Sequence, residues 1–312
     1  MLVVHQRPAR RRARAAAVAE ALALLHDLAP SAPAGGPLAS RPGVFWVELP
    51  ERHLEAATAR LPRLGYSTAV DLLAGDGRGP AVRWRGRPWR LRRLHGEDPA
   101  GHRERAPDRR EFLFESGDGR LRPVRGYRGG AAPLARRGLP VCDARLLVNL
   151  VAPAQPRPPG RAGSAADPVA PDRAGVLLDP FAGVGGVALE ARAAGWAAVT
   201  ADRDPALRHG LGRLASAHLV ADARALPLRP GVLDAVATEP PYDPQVGPLA
   251  GQVLAEVHRL LRPGGATAWL CAAWQAPGLR TAAGGLGLRP VLDTPVDRKG
   301  VAVVALAWQR PG

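Results

Sequence analysis

The 312 residues carry 43 basic and 28 acidic side chains, a formal net charge of +15, and 46% of them are hydrophobic. That is enough apolar material for two domains with a core each, but no run of eighteen apolar residues occurs, which excludes a membrane-spanning helix. Two cysteines, Cys142 and Cys271, far apart and without C-x-x-C spacing, exclude a cysteine zinc site and suit a reducing cytoplasm; with eight scattered histidines, no metal is expected.

In chain order, Arg11 to Leu25 imitates a secretion signal, but Glu20 interrupts its apolar run. Val18, Ala21, Leu22, Leu25 and Leu28 recur at helical spacing, so the segment is expected to form an amphipathic helix packed on its own domain. Val44 to Leu49, Glu51 to Leu64 and Ser67 to Leu73 then read as a strand, a helix and a strand. From Ala81 to Arg93 aromatic and basic residues interleave with partial alternation, which on a single strand would set Arg83, Arg85 and Arg87 on one face. Trp84 and Trp89 there are candidates for base stacking or for core. Arg120 to Arg128, with Arg125 beside Tyr127, reads as a second basic strand or a solvated hairpin.

Charge divides the chain. Residues 1–150 have a net charge of +12 and residues 151–312 of +3. GC-rich coding explains why 42 of the 43 basic residues are Arg, but it does not explain why the excess collects in one half. That asymmetry is what a phosphate-gripping domain shows.

Arg137 to Leu150 is a helix candidate whose Leu146, Leu147 and Leu150 share a face, and Pro153 to Ala166 is too rich in proline and glycine for a helix or a strand ladder. Next, Gly175 to Leu178 is a short buried-strand run and Val187 to Ala194 is good helix material. The string Asp179-Pro180-Phe181-Ala182-Gly183-Val184-Gly185-Gly186 therefore falls in a strand-to-helix turn. Its glycines permit positive φ and let backbone N–H groups approach a ligand. A further strand, Ala197 to Ala201, ends in Asp202, a carboxylate placed to accept ribose hydroxyls. Gly183-x-Gly185-x-x-Ala188 also satisfies the dinucleotide fingerprint of an oxidoreductase. Val232 to Thr238 forms another strand, followed at its carboxyl end by Glu239-Pro240-Pro241-Tyr242.

From Asp179 onward this order resembles the S-adenosylmethionine-dependent methyltransferases. The resemblance implies that Asp179, Pro180, Phe181, Ala182, Gly183 and Gly185 wrap the methionine part of S-adenosyl-L-methionine. By the same resemblance, Asp202 with Arg203 holds the ribose, and Asp222 with Ala223 the adenine. Val257 to Gly265 is similar to the turn into the fifth strand, Ala266 to Cys271. A hairpin from Val291 to Trp308, turning at Lys299-Gly300, would supply a reversed last strand. The implied fold is α/β: a Rossmann-like class I methyltransferase domain over 139–312, with a mostly parallel seven-stranded sheet, preceded by a basic α+β domain over 1–138.

Members of that family with [DNS]-P-P-[YF] at this place methylate amines. An exocyclic amine is a poor nucleophile because its lone pair is delocalised, and acceptors that hold its N–H hydrogens orient it for attack. The side chain of Glu239 and the Pro240 carbonyl would be those acceptors, and Tyr242 would stack on a base swung out of its helix. Glu239 stands where the family has Asp, Asn or Ser and is one methylene longer than Asp. The order of residues 44–73 is similar to the amino-terminal regions of tRNA guanine-N2 methyltransferases with THUMP-type domains. The expected activity is methyl transfer to an exocyclic amine of RNA, guanine N2 of tRNA first. A DNA adenine-N6 or rRNA amine methylase and a non-catalytic RNA-binding protein are the alternatives, with Arg83, Arg85, Arg87 and Arg125 the candidate RNA contacts.

Overall fold

A computed structural model of the chain describes residues 2–7, 10, 12–32, 43–72, 83–84, 87–88, 90–91, 111–115, 121–125, 138–154, 175–243, 249–296, 298 and 301–312. The chain opens with strand β1 (Leu2–Gln6), helix α1 (Arg14–Leu24), β2 (Val44–Val47), helix α2 (Leu54–Arg60) and β3 (Ser67–Leu72). The strand-helix-strand expected over 44–73 is present, but β2 and β3 are not neighbours. β1 lies between them, antiparallel to both, and β6 (Arg90–Leu91) pairs on the far side of β3. The helical segment passes into a 3-10 turn at Leu61–Arg63, where Pro62 has no N–H to continue the α ladder.

Between β3 and β6, β4 (Arg83–Trp84) and β5 (Arg87–Pro88) form a tight antiparallel pair with Arg83 opposite Pro88 and Trp84 opposite Arg87. The single alternating strand expected over 81–93 is thus replaced by a chain reversal. Arg83 and Arg87 occupy different pairing positions on two strands, and Arg85 lies outside the described residues. β7 (Glu111–Glu115) and β8 (Leu121–Arg125) form a second antiparallel pair, with Arg125 opposite Glu111. The segment 155–174, which holds most of the proline-rich stretch, and the turn at Lys299-Gly300 also lie outside the described residues.

Helix α3 (Val141–Leu150) leads into β9 (Val176–Asp179), α4 (Gly186–Ala193), β10 (Ala197–Asp202), α5 (Arg208–Leu214), β11 (Ala217–Val220), β12 (Leu233–Thr238), α6 (Ala250–Leu260), β13 (Leu261–Ala272), α7 (Ala276–Gly285), β14 (Arg289–Val296) and β15 (Val303–Gln309). The strands form one sheet in the order β11-β10-β9-β12-β13-β15-β14. The first five are parallel, and β15 runs against both of its neighbours. Every residue of β12 is buried, as a central parallel strand covered on both faces requires. β14 is the sheet edge, where Pro290 and Pro295 remove ladder donors at little cost.

The pleat divides the core. Leu177, Ala235, Ala237, Ala268 and Leu270 face the layer containing α3 and α4, whereas Leu178, Val236, Trp269 and Cys271 face α6 and α7. The first layer does not end with the sheet. Leu2, Val4, Phe45, Val47 and Val70 of the amino-terminal strands belong to the same buried cluster, bridged by α1 and α3.

α1 buries Ala16, Ala17, Glu20, Ala21 and Leu24, and its main partner is α3, which the sequence did not assign to its domain. Polar groups fasten this junction. Arg10 Nη2 donates to both oxygens of buried Asp143 at 2.9 Å, and the Tyr66 hydroxyl donates to Asp143 Oδ1 at 2.8 Å. Glu20 accepts from the Gly65 and Tyr66 amides and from Asn149 Nδ2. Burial pushes the Glu20 pKa up to about 7, although these donors oppose the rise. Gly65 passes so close to α3 that a Cβ there would lie 2.2 Å from the Cys142 carbonyl oxygen.

Candidate active site

The strand order reverses between β9 and β12: β10 and β11 build outward from one side of β9, and β12 begins on the other. Open α/β sheets bind ligands at the carboxyl ends of strands at this point. Asp179 ends β9 and Thr238 ends β12, and the Thr238 hydroxyl donates to Asp179 Oδ1 at 2.7 Å. The Phe181 amide donates to the same oxygen at 3.2 Å. Burial raises the Asp179 pKa to about 7; Asp202 and Glu239 push in the same direction, while Thr238 and the Phe181 amide oppose them.

The turn after Asp179 is shaped by two glycines in the left-handed region, Gly183 at φ 50° and Gly185 at φ 83°, where a Cβ is disfavoured. Pro180 and Ala182 are buried and Phe181 is half-buried beside them. The Gly183 amide donates to Asp202 Oδ2 and the Asp204 amide to Asp202 Oδ1, each at 3.0 Å, which fixes the carboxylate at the tip of β10. Arg203 next to it is exposed. The Ala221 amide donates to the Asp202 carbonyl, drawing Asp222 and buried Ala223 to the same end of the sheet. Arg224 holds Asp222 at 2.6 Å and, chiefly through that hydrogen bond, lowers its pKa to about 2.

Glu239 leaves β12 with its side chain about one-fifth exposed. Its Oε1 accepts from the Tyr242 hydroxyl at 2.5 Å and from Arg298 Nη1, while Arg298 Nη1 also donates to the Tyr242 oxygen at 2.8 Å. The Arg298 guanidinium lies 5.6 Å from the centre of the Tyr242 ring, so one face of that ring has a cationic partner. Burial raises the Glu239 pKa above the usual glutamate range, against the pull of Arg298 and the Tyr242 hydroxyl. Among the described residues both hydrogen bonds to the carboxylate end on Oε1, which leaves Oε2 as an acceptor there. Pro240 is buried, Pro241 is exposed, and the Pro241 carbonyl accepts from Gln275 Nε2 at 2.9 Å. Gln275 Oε1 in turn accepts from the Ala272 amide, tying the Pro-Pro loop to the end of β13.

Asp179, Gly183, Gly185, Asp202, Asp222 and Glu239 to Tyr242 are therefore gathered at one end of the sheet. Arg83, Arg87 and Arg125 lie on β4, β5 and β8, which belong to two separate two-stranded sheets. Arg298 and Gln275 had no motif to mark them. Arg298 is one more arginine beside the expected turn at Lys299-Gly300, and Gln275 is a lone polar residue between β13 and Pro277. Among the described residues no group of three or more His, Cys, Asp or Glu could hold a metal ion, and no helix is long and apolar enough to cross a membrane.

A five-stranded parallel set with the switch point between β9 and β12, completed by a reversed strand inside a parallel edge, is a Rossmann-like α/β fold, the sheet the sequence led us to expect. No protein-family model matches the chain, and no curated protein matches it. Among solved structures it is similar to TrmN from Thermus thermophilus, with 19% identity, 99% of each chain covered and a TM-score of 0.49. It is also similar to a geranyl diphosphate methyltransferase in complex with SAM, with 15% identity, 55% of this chain and 85% of that one covered, and a TM-score of 0.41. The antibiotic-resistance methyltransferase Kmr has 19% identity over 44% of this chain and 86% of its own, with a TM-score of 0.36.

Proposed function

We propose that the chain is a cytoplasmic methyltransferase that uses S-adenosyl-L-methionine to methylate an exocyclic amine of RNA, with guanine N2 of tRNA as the first substrate to test. The observation that carries this reading is Glu239 at the switch point, with Oε1 fixed by Arg298 and Tyr242 and Oε2 left as an acceptor.

The turn at 179–185 fits the cofactor. Two left-handed glycines open its backbone, Asp202 is oriented at the strand tip for a ribose, and Asp179 Oδ1 is taken by Thr238 and Phe181 while Oδ2 makes no hydrogen bond among the described residues. When bound, the cofactor supplies an activated methyl group. The protein's part is orientation. Glu239 Oε2 and the Pro240 carbonyl accept the two N–H hydrogens and direct the amine lone pair forward, a positioning effect in which an error of about 1 Å costs on the order of a hundredfold. With one carboxylate oxygen fixed, the longer glutamate has fewer rotamers in which to misplace the other. The charge of residues 1–150 supports a polyanionic substrate.

Calorimetry with S-adenosylhomocysteine tests the cofactor. Tight binding that Asp202→Ala abolishes is expected, and absence of binding to the wild-type protein would end the methyltransferase reading. Labelled methyl transfer is then measured into unmodified tRNA transcripts and into DNA. Label in DNA alone would replace RNA with DNA as substrate. Cofactor and RNA binding without transfer would favour the non-catalytic alternative.

A further inference from the structure

Four tryptophans with described burial, Trp46, Trp196, Trp269 and Trp308, are at most 6% exposed, whereas Trp274 is 48% exposed. It sits beside the candidate active site. β13 pairs Trp269 with Thr238, continues to Ala272 and then turns through Ala273, Trp274 and Gln275. The turn is fastened on both flanks. The Ala273 amide donates to the Ala302 carbonyl at 2.8 Å, and Gln275 holds Ala272 and the Pro241 carbonyl. Val301, also exposed, precedes Ala302 on the same ledge. An exposed indole on a rigid turn, one residue from the group that anchors the Pro-Pro loop, is placed for a ligand rather than for the core.

We propose that Trp274 is a stacking platform for an unpaired nucleobase of the RNA substrate, adjacent to the base whose amine reaches Glu239. The proposal rests on the RNA methyltransferase reading above. A base whose exocyclic amine is to enter the site must leave its stack, and its neighbour then loses a stacking partner. An indole face replaces that partner for any base, because every base offers a π-face. The net charge of +15 supplies the attraction for the backbone that carries it. Trp274 thus acts on substrate binding and touches no reacting atom.

The test uses full-length protein, unmodified tRNA transcripts and the variants Trp274→Phe and Trp274→Ala. Stacking contributions of the usual size predict that Trp274→Ala raises KM for RNA by about 5- to 100-fold, with Trp274→Phe recovering most of the loss and kcat changing by less than about threefold. RNA should quench an emission component that Trp274→Phe lacks, and S-adenosylhomocysteine alone should leave that component unchanged. An unaltered KM in Trp274→Ala, or quenching by S-adenosylhomocysteine alone, overturns the platform. If the wild-type protein methylates no RNA, the functional reading fails, and quenching of the Trp274 component by RNA still decides the platform directly.

Discussion

Arg298→Ala removes the cation that shares Glu239 with Tyr242. Deleting one partner of a buried ion pair costs about 3–5 kcal/mol, because the other charge is left desolvated. The Arg298 and Glu239 side chains are 20% and 19% exposed, so solvent screening brings the expected loss to about 2–3 kcal/mol. For a chain of this size that is a fall in Tm of about 3–5 °C. The loss must also depend on pH. Glu239 is raised above its ordinary pKa by burial, so the native state holds its proton longer than the unfolded state, and stability falls as pH rises from the unfolded pKa through the folded one. Asp179 and Asp143 lie close enough to oppose its charge further. Without Arg298 the folded pKa climbs, and the penalty extends to higher pH. The stability gap between wild type and variant is therefore smaller at low pH, where protonation of Glu239 removes the charge that Arg298 balances, than at high pH. Thermal unfolding at pH 5 and at pH 8 measures it, with Arg298→Lys expected to restore part of the loss at pH 8. An equal gap at both pH values would refute the ion-pair reasoning. So would a pH–rate profile whose acid limb does not move upward in Arg298→Ala.

Gln275→Ala strands the Ala272 amide and the Pro241 carbonyl; methyl transfer should fall by about tenfold through misplacement of the Pro-Pro loop, while calorimetry shows S-adenosylhomocysteine affinity within about threefold of wild type. Gly185→Ala forces a Cβ into the left-handed region at a cost of about 1–2 kcal/mol, which should weaken S-adenosylhomocysteine binding measurably; unaltered affinity would mean that this turn does not hold the ligand. Asp143→Ala leaves Arg10 and the Tyr66 hydroxyl without their buried acceptor and should destabilise the protein by about 3–5 kcal/mol, read as a lower midpoint in chemical denaturation.

The second half of the chain was largely legible because its signals are local. Buried parallel strands read as continuous apolar runs, and the glycines at 183 and 185 and the acid at 202 declare a strand-to-helix turn within a short span. What joins distant segments left no such mark. Arg298 reaches Glu239 across 59 residues only because β15 runs backward beside β13, which brings Val296 and Val303 to the carboxyl end of β13, next to that of β12. Gln275 acquires its role from where β13 stops, which no periodicity records. In the first half, the helical spacing of Ala21, Leu22 and Leu25 announced a buried face but not its cover, and the cover is α3. The alternation at 81–93 predicted one strand because it could not register the reversal between Trp84 and Arg87. β1 passed unnoticed, since a five-residue strand at a chain start has too few positions to display a period.

The close approach of Gly65 to α3, with the Asp143 and Glu20 clusters on either side, bears on how the polypeptide can be divided. A fragment beginning at residue 139 would keep Asp143 and Asn149 but lose Arg10, Tyr66 and Glu20, and it would turn Leu146, Leu147 and Leu150 toward water in part. The two sheets share a seam rather than a linker. A shortened protein would have to carry its amino-terminal strands with it or replace that seam residue by residue.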